Sequence, residues 1–187
     1  MGLHLLQTDF SGLILLRPDV FRDQRGYFTE IHKKSEFKDL VGDDIDFVQD
    51  NLSYSRINVI RGLHFQATPY SQTKLVRCVW GAIQDVAVDI RPESDSFGSY
   101  FSIELSADNM LQLLVPKGFA HGFAVLSEGA VVEYKCDSYY MPSHDSGIRW
   151  NDEYLGIKWM IDHGTEIVSD KDKSLLTFNE VLERRLI

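Results

Sequence analysis

The sequence predicts an all-β domain, a sandwich or jelly-roll barrel with short peripheral helices and a C-terminal helix. Three observations predict it. Short runs of alternating apolar and polar residues recur along the chain, as in V-V-E-Y-K-C over residues 131–136. Glycine and proline separate these runs at the spacing of turns. Helical patterning is confined to K-K-S-E-F-K-D-L-V, residues 33–41, and to a tail over Leu175–Leu186. There is no internal repeat, low-complexity tract or linker, so the expectation is one domain spanning residues 1–187.

Each element follows from its residues. Residues 1–20 read as two short strands, with Gly12 between them and Pro18 closing the second. Asp23–Gly26 make a turn, and strand alternation resumes at Tyr27–Ile31. The helix over 33–41 puts Phe37, Leu40 and Val41 on one face, and Gly42 with the acidic run 43–46 ends it. F-V-Q-D-N-L-S-Y-S, 47–55, is a strand with Gln49, Asn51 and Ser53 on one side. Arg61–Arg91 then holds strands with polar cargo: His64 in R-G-L-H-F-Q, and Lys74 opening K-L-V-R-C-V-W. In D-V-A-V-D-I-R, Val86, Val88 and Ile90 alternate with Ala87 and Asp89, which reads as a half-buried strand. Strands follow at Tyr100–Leu105 and Met110–Val115. Pro116 and Gly118 turn the chain so that His121 starts the next strand, and Val132, Tyr134 and Cys136 share a face. R-W-N-D-E, 149–153, reads as a loop, and S-D-K-D-K, 169–173, precedes the C-terminal helix.

Composition narrows the function. With 187 residues, 44% hydrophobic and 25% charged, the chain builds a sizeable core. A net charge of −9 argues against nucleic acid, and requires a local basic patch for any anionic ligand. No apolar run reaches membrane-spanning length, and no secretory signal opens the sequence. Two cysteines, Cys78 and Cys136, sit in apolar strand patterns and read as small buried hydrophobes of a reducing cytoplasm.

A small barrel is filled by inward side chains unless it holds a ligand, so inward polar residues carry information. The candidates are Gln49, Asn51, His64, Lys74, His121, Tyr134 and Asp172. His64 suits a general base and Asp172 the carboxylate that orients it; Tyr134 is a proton donor and Lys74 an oxyanion partner. That set fits proton abstraction beside a carbonyl. Such a carbon acid is about a dozen pK units weaker than imidazolium, a gap of ~16 kcal/mol. General base catalysis supplies only ~10²–10⁴-fold, so the enolate oxygen needs donors worth ~3–4 kcal/mol each. Metal binding is the weaker reading: the strand carries one histidine, with Gln66 where a second ligand would stand. His4, His32, His144 and His163 read as solvated. Taken singly, Arg25, Lys74 and Lys171 read as surface charges, Tyr134 as a core aromatic and His121 as a packing residue.

Nine segments in order change that balance: F-R-D-Q-R-G-Y-F-T-E, F-V-Q-D-N-L-S-Y-S, V-I-R-G-L-H-F-Q, Q-T-K-L-V-R-C, V-D-I-R, P-K-G-F-A-H-G-F, E-Y-K-C-D-S-Y-Y-M-P, R-W-N-D and S-D-K-D. From about Leu13 to Asp172 the chain resembles the dTDP-4-dehydrorhamnose 3,5-epimerases, the RmlC-type cupins. The resemblance implies a cupin jelly roll that inverts carbons 3 and 5 of a dTDP-linked 4-keto-6-deoxy sugar through enolates, without metal or organic cofactor. It implies His64 as base with Asp172 as its partner, Tyr134 as the acid on the opposite face, and Lys74 at the keto oxygen. It places Phe21, Arg25, Glu30, Gln49, Asn51, Arg61, His121, Tyr140, Asp145 and Lys171 at ligand-contacting positions, Asp145 standing where many members carry Glu. It also implies a cytoplasmic homodimer in which the Phe21–Glu30 segment reaches the partner's pocket. Strict alternation puts Arg61 and His64 on opposite faces, and Gly62 admits a bulge that would reunite them. Three alternatives are left open: a single-position epimerase or keto-isomerase, a metal-dependent cupin oxygenase or isomerase, and a non-catalytic nucleotide-sugar binder.

Overall fold

The computed structural model describes residues 2–6 and 8–187. β1 (Leu3–Leu6) pairs with β2 (Ile14–Pro18). β3 (Val20–Asp23) and β4 (Gly26–Thr29) form a hairpin separate from both main sheets. α1 (Lys34–Val41) ends on Gly42 in the left-handed region and buries Phe37 with Leu16, Leu75 and Leu114. Eight strands follow: β5 (Gln49–Arg56), β6 (Val59–Gln66), β7 (Lys74–Trp80), β8 (Ala82–Asp89), β9 (Tyr100–Ser106), β10 (Gln112–Val115), β11 (Phe119–Val125) and β12 (Gly129–Cys136). A 3₁₀ turn at Pro142–His144 leads to β13 (Asp145–Gly147), then β14 (Ile167–Val168), α2 (Asp170–Lys173) and α3 (Phe178–Glu183).

Two sheets face each other. One runs β1-β2-β10-β7-β12-β5; the other runs β13-β6-β11-β8-β9, with β14 added parallel to β6. Their inner faces meet through Leu15, Val76, Leu113 and Val132 from the first sheet, and Ile83, Ala87, Leu105 and Phe123 from the second. This is the predicted jelly-roll architecture, and interdigitating inner faces are what make it cohere.

Three expectations change. β8 is buried on both faces rather than half-buried: Ala87 packs between the sheets, while Val86 and Val88 pack against Leu155, Phe178 and Val181. The C-terminal segment folds back over the outer face, which periodicity within β8 cannot signal. The tail helix spans Phe178–Glu183, not Leu175–Leu186. Leu176 instead bridges to Ile148, and Thr177 starts the helix with a capping box to Glu180. S-D-K-D-K, ahead of that helix, holds a helical turn capped by Ser169. His32 is not a solvated histidine: its ring lies against Phe37 and Phe47 with Nε2 buried and without a partner among the described residues.

Candidate active site

One end of the sandwich holds a cavity of about 340 Å³. Its first wall comes from strand alternation. On β12, Val132 points into the core, so Tyr134 and Cys136 point the same way further along. Tyr134 lies opposite Asn51 on β5 and Val76 on β7; Cys136 lies opposite Gln49 and Lys74. Four polar side chains, Gln49, Asn51, Lys74 and Tyr134, therefore share the inner face of one sheet, where the apolar row gives out.

The second wall depends on an irregularity. On β11, His121 and Phe123 are two residues apart and pair regularly with β8, so they share a face. Their partners on β6 are His64 and Arg61, three residues apart. The extra residue is a β-bulge at Gly62, whose φ of 109° lies in the region that favours glycine. Arg61 and His64 thus face the same way. A Cβ at Gly62 would meet the backbone of His121 and Gly122 at 2.7 Å, so the bulge also needs glycine for space.

Asp172 reaches this wall from α2. Ser169 Oγ accepts the Asp172 backbone N–H at 3.1 Å, fixing the turn. The buried Asp172 carboxylate then accepts from His64 Nε2 at 2.7 Å and from the Gly62 N–H at 3.1 Å. With Nε2 donating, the ring's lone pair is on Nδ1, and His64 lines the cavity. Burial pushes the Asp172 carboxyl up, but the His64 hydrogen bond and charge, the Gly62 N–H and Lys171 outweigh it and hold its pKa below the ordinary value.

Lys74 and Tyr134 sit in a different field. Burial lowers the Lys74 pKa, opposed only in part by Cys136, Asp145 and Asp85. Its Nζ lies 6.0 Å from the centre of the Tyr134 ring, and no carboxylate pairs with it among the described residues. Burial raises the Tyr134 pKa, against the nearby charge of Arg61, so the phenol keeps its proton at neutral pH. Burial likewise pushes the Cys136 thiol to about 11, leaving it neutral. A lone-pair base and a phenolic acid on opposite walls, with an unpaired ammonium beside the acid, are equipped to move protons at a carbon beside a carbonyl.

The segment between β12 and β13 closes the mouth. Tyr140 donates its hydroxyl to Asp145 at 3.0 Å, and Lys171 pairs with the same carboxylate oxygen. The cavity therefore gathers Gln49, Asn51, His64, Lys74, Tyr134, Tyr140, Asp145 and Lys171, with Asp172 directly behind His64.

Other expected residues lie elsewhere. Arg61 stands beside the cavity, its guanidinium held by Ser55 Oγ at 2.8 Å and the Tyr54 carbonyl at 3.2 Å. His121 is buried and bonded to Asp85 at 2.9 Å, next to His64 across the strands but outside the cavity lining. Phe21, Arg25 and Glu30 do not line the cavity of their own chain; Arg25 is paired to Asp23 at the hairpin tip. Arg25, Arg61 and Lys171 thus do not make one basic patch within a single chain. Cavity-lining residues that the sequence does not single out are Phe65 and Gln72; Gln66 stands there only as a missing second ligand and Cys136 only as a core hydrophobe. The signal for Cys136 was its two-residue offset from Tyr134. Among the described residues no group of three or more His, Cys, Asp or Glu is placed to hold a metal ion, and no helix is long and apolar enough to cross a membrane.

Comparison with known proteins adds an independent line. Residues 7–180 match the family model described as dTDP-4-dehydrorhamnose 3,5-epimerase. The dTDP-4-dehydrorhamnose 3,5-epimerase of Escherichia coli (strain K12) is 50% identical, covering 99% of this chain and 100% of that one. The crystal structure of the enzyme of that name from Elizabethkingia anophelis superposes with a TM-score of 0.92 at 44% identity, covering 96% of this chain and 98% of that one. A Legionella pneumophila dTDP-6-deoxy-D-glucose-3,5-epimerase, solved with dTDP-4-keto-L-rhamnose, superposes with a TM-score of 0.94 at 38% identity, covering 99% and 97%.

Proposed function

This chain belongs to the dTDP-4-dehydrorhamnose 3,5-epimerase family, and on that premise we propose that it converts dTDP-4-dehydro-6-deoxy-D-glucose to dTDP-4-dehydro-L-rhamnose. The observation that carries the reading is the convergence of the His64–Asp172 pair, Tyr134 and Lys74 on one cavity from opposite sheets. His64 removes the proton at carbon 3 or 5, both acidified by the 4-keto group. Asp172 stabilises the imidazolium that forms. Lys74 holds the enolate oxygen, and its lack of a carboxylate partner leaves its charge free for that oxygen. Tyr134 returns a proton from the opposite face, which inverts the carbon. Buried Lys74 supplies ~3–4 kcal/mol of the enolate stabilisation that a base alone lacks.

Gln49, Asn51, Tyr140, Asp145 and Lys171 are assigned to the nucleotide sugar at the cavity mouth, with Arg61 and His121 at its inner border. The chain acts as a homodimer in the cytoplasm. Support for the dimer comes from the β3–β4 hairpin, which exposes Phe21, Tyr27 and Phe28, and from edge strand β5, which exposes Leu52 and Tyr54. In the dimer, Phe21, Arg25 and Glu30 complete the partner's site. No metal or organic cofactor enters this scheme.

Product analysis by NMR in deuterated water, with the dTDP-4-keto-6-deoxyglucose substrate, tests the reading. Deuterium should enter at carbons 3 and 5. His64→Ala should abolish exchange while nucleotide binding survives. Exchange at one carbon alone would make the chain a single-position epimerase, and full exchange by the variant would remove His64 as the base.

A further inference from the structure

The strap between β12 and β13 is held by three glutamines from three places. Gln72, before β7, donates Nε2 to the Ser138 carbonyl at 2.7 Å. Gln49, on β5, accepts the Tyr140 N–H at 3.0 Å. Gln66, at the end of β6, accepts the Met141 N–H at 2.6 Å. The two sheets thus grip one short run of backbone on either side of Tyr140. Asp137 anchors the start of the strap to Thr73 and Lys117, but beyond it Tyr139 and Tyr140 are exposed and no regular element forms before Pro142. Gln66 is nearly fully buried, and its Nε2 has no partner among the described residues. Its Oε1 is committed to Met141, while the side chain also borders the cavity.

We propose that Gln66 and Gln72 are positioning residues that fix the strap so that Tyr140, and the Asp145 it bonds, close the cavity over the nucleotide sugar. The inference rests on the reading above for the role of Tyr140, and adds two residues that have no assigned part in the reaction. Backbone groups bonded by side chains from a rigid sheet lose freedom before the ligand arrives, which lowers the ordering cost of binding. The clamp acts on affinity and leaves the His64–Asp172–Lys74 geometry alone.

The probe is dTDP, titrated by calorimetry into the full-length protein. Gln66→Leu and Gln72→Leu should each weaken binding about 5–10-fold, the scale of one lost hydrogen bond. kcat for the nucleotide sugar should change less than about twofold, so the loss appears in KM. In a Tyr140→Ala background the same substitutions should change the dTDP Kd less than about twofold, because the side chain they position is gone. Equal losses in both backgrounds would mean direct contact or general damage, and would overturn the proposal. Gln72 is only half-buried, so its variant carries the test should Gln66→Leu not fold. Amide hydrogen exchange reads the clamp without ligand: the Met141 N–H should be protected, and should exchange faster in Gln66→Leu. An unprotected Met141 amide sinks the clamp alone; a wild type that turns over no nucleotide sugar sinks the functional reading alone.

Discussion

At the scale of single residues, burial and partners sort the chemistry. Lys74 and Tyr134 are neighbours in one cavity, yet burial moves their pKa values in opposite directions, because it disfavours the charged form of each. Burial brings loss of the Lys74 ammonium down from the usual lysine value of 10.5 and moves loss of the Tyr134 proton up from 10.0. The alkaline limb of kcat should therefore belong to Lys74. A pH–rate profile of Tyr134→Phe should keep the limb of the parent on its residual activity, whereas Lys74→Arg should move it upward. Lys74→Met should lower kcat by ~10²–10³-fold, the cost of one oxyanion donor. A loss under about threefold would mean that the ammonium does not meet the enolate.

At the scale of elements, one bulge and one helical turn assemble the base. Gly62→Ala would drive a Cβ into backbone at 2.7 Å from two directions, which no side-chain rotation relieves. It should destabilise the fold by roughly 2–4 kcal/mol and reduce kcat, since Arg61 and His64 share a face only through the bulge. Urea denaturation with steady-state kinetics checks both. α2 makes a second, pH-dependent contribution. The folded-state pKa of Asp172 lies below its unfolded value, so the stabilisation is complete above the ordinary carboxylate pKa of 3.8 and is lost as pH falls through the lowered folded value. Asp172→Asn should flatten the acid side of the stability profile there. His32 titrates higher: burial lowers its pKa, so its neutral form is the stable one in the fold and stability declines as pH drops below about 6.5. His32→Leu should remove that decline, read from melting temperatures across pH 5–8.

At the scale of the whole molecule, the β3–β4 hairpin stands apart from the two sheets that wall the cavity. If the hairpin completes a partner's cavity, Arg25→Ala should raise KM several-fold with kcat nearly unchanged, and mixing Arg25→Ala with His64→Ala subunits should restore about a quarter of the parent sites at normal KM. Sedimentation should show a dimer at micromolar concentration. A monomer with full activity would sink this arrangement. Both sheets were legible in the sequence because alternation and turn residues are local signals. The double burial of β8 was not, since the segment that covers it lies far along the chain. The same distance hid the roles of Gln66 and Gln72: nothing near either residue in sequence announces a bond to the strap.

The sequence by itself determined the strand pattern, the polar row on β5, β7 and β12, and, through nine ordered segments, the family and the residues proposed as base, acid and lysine. Those properties reside in residue type and spacing, which the chain carries whether or not it is folded. The pairing of Asp172 with His64 and the bulge at Gly62 were expected, but only the tertiary structure gave them their geometry, and it alone decided that His121 turns to Asp85 and that the tail covers β8. The contacts of Asp172, His121 and the tail join groups far apart in sequence, fixed by how two sheets and a returning segment pack, and no local pattern encodes such a distance.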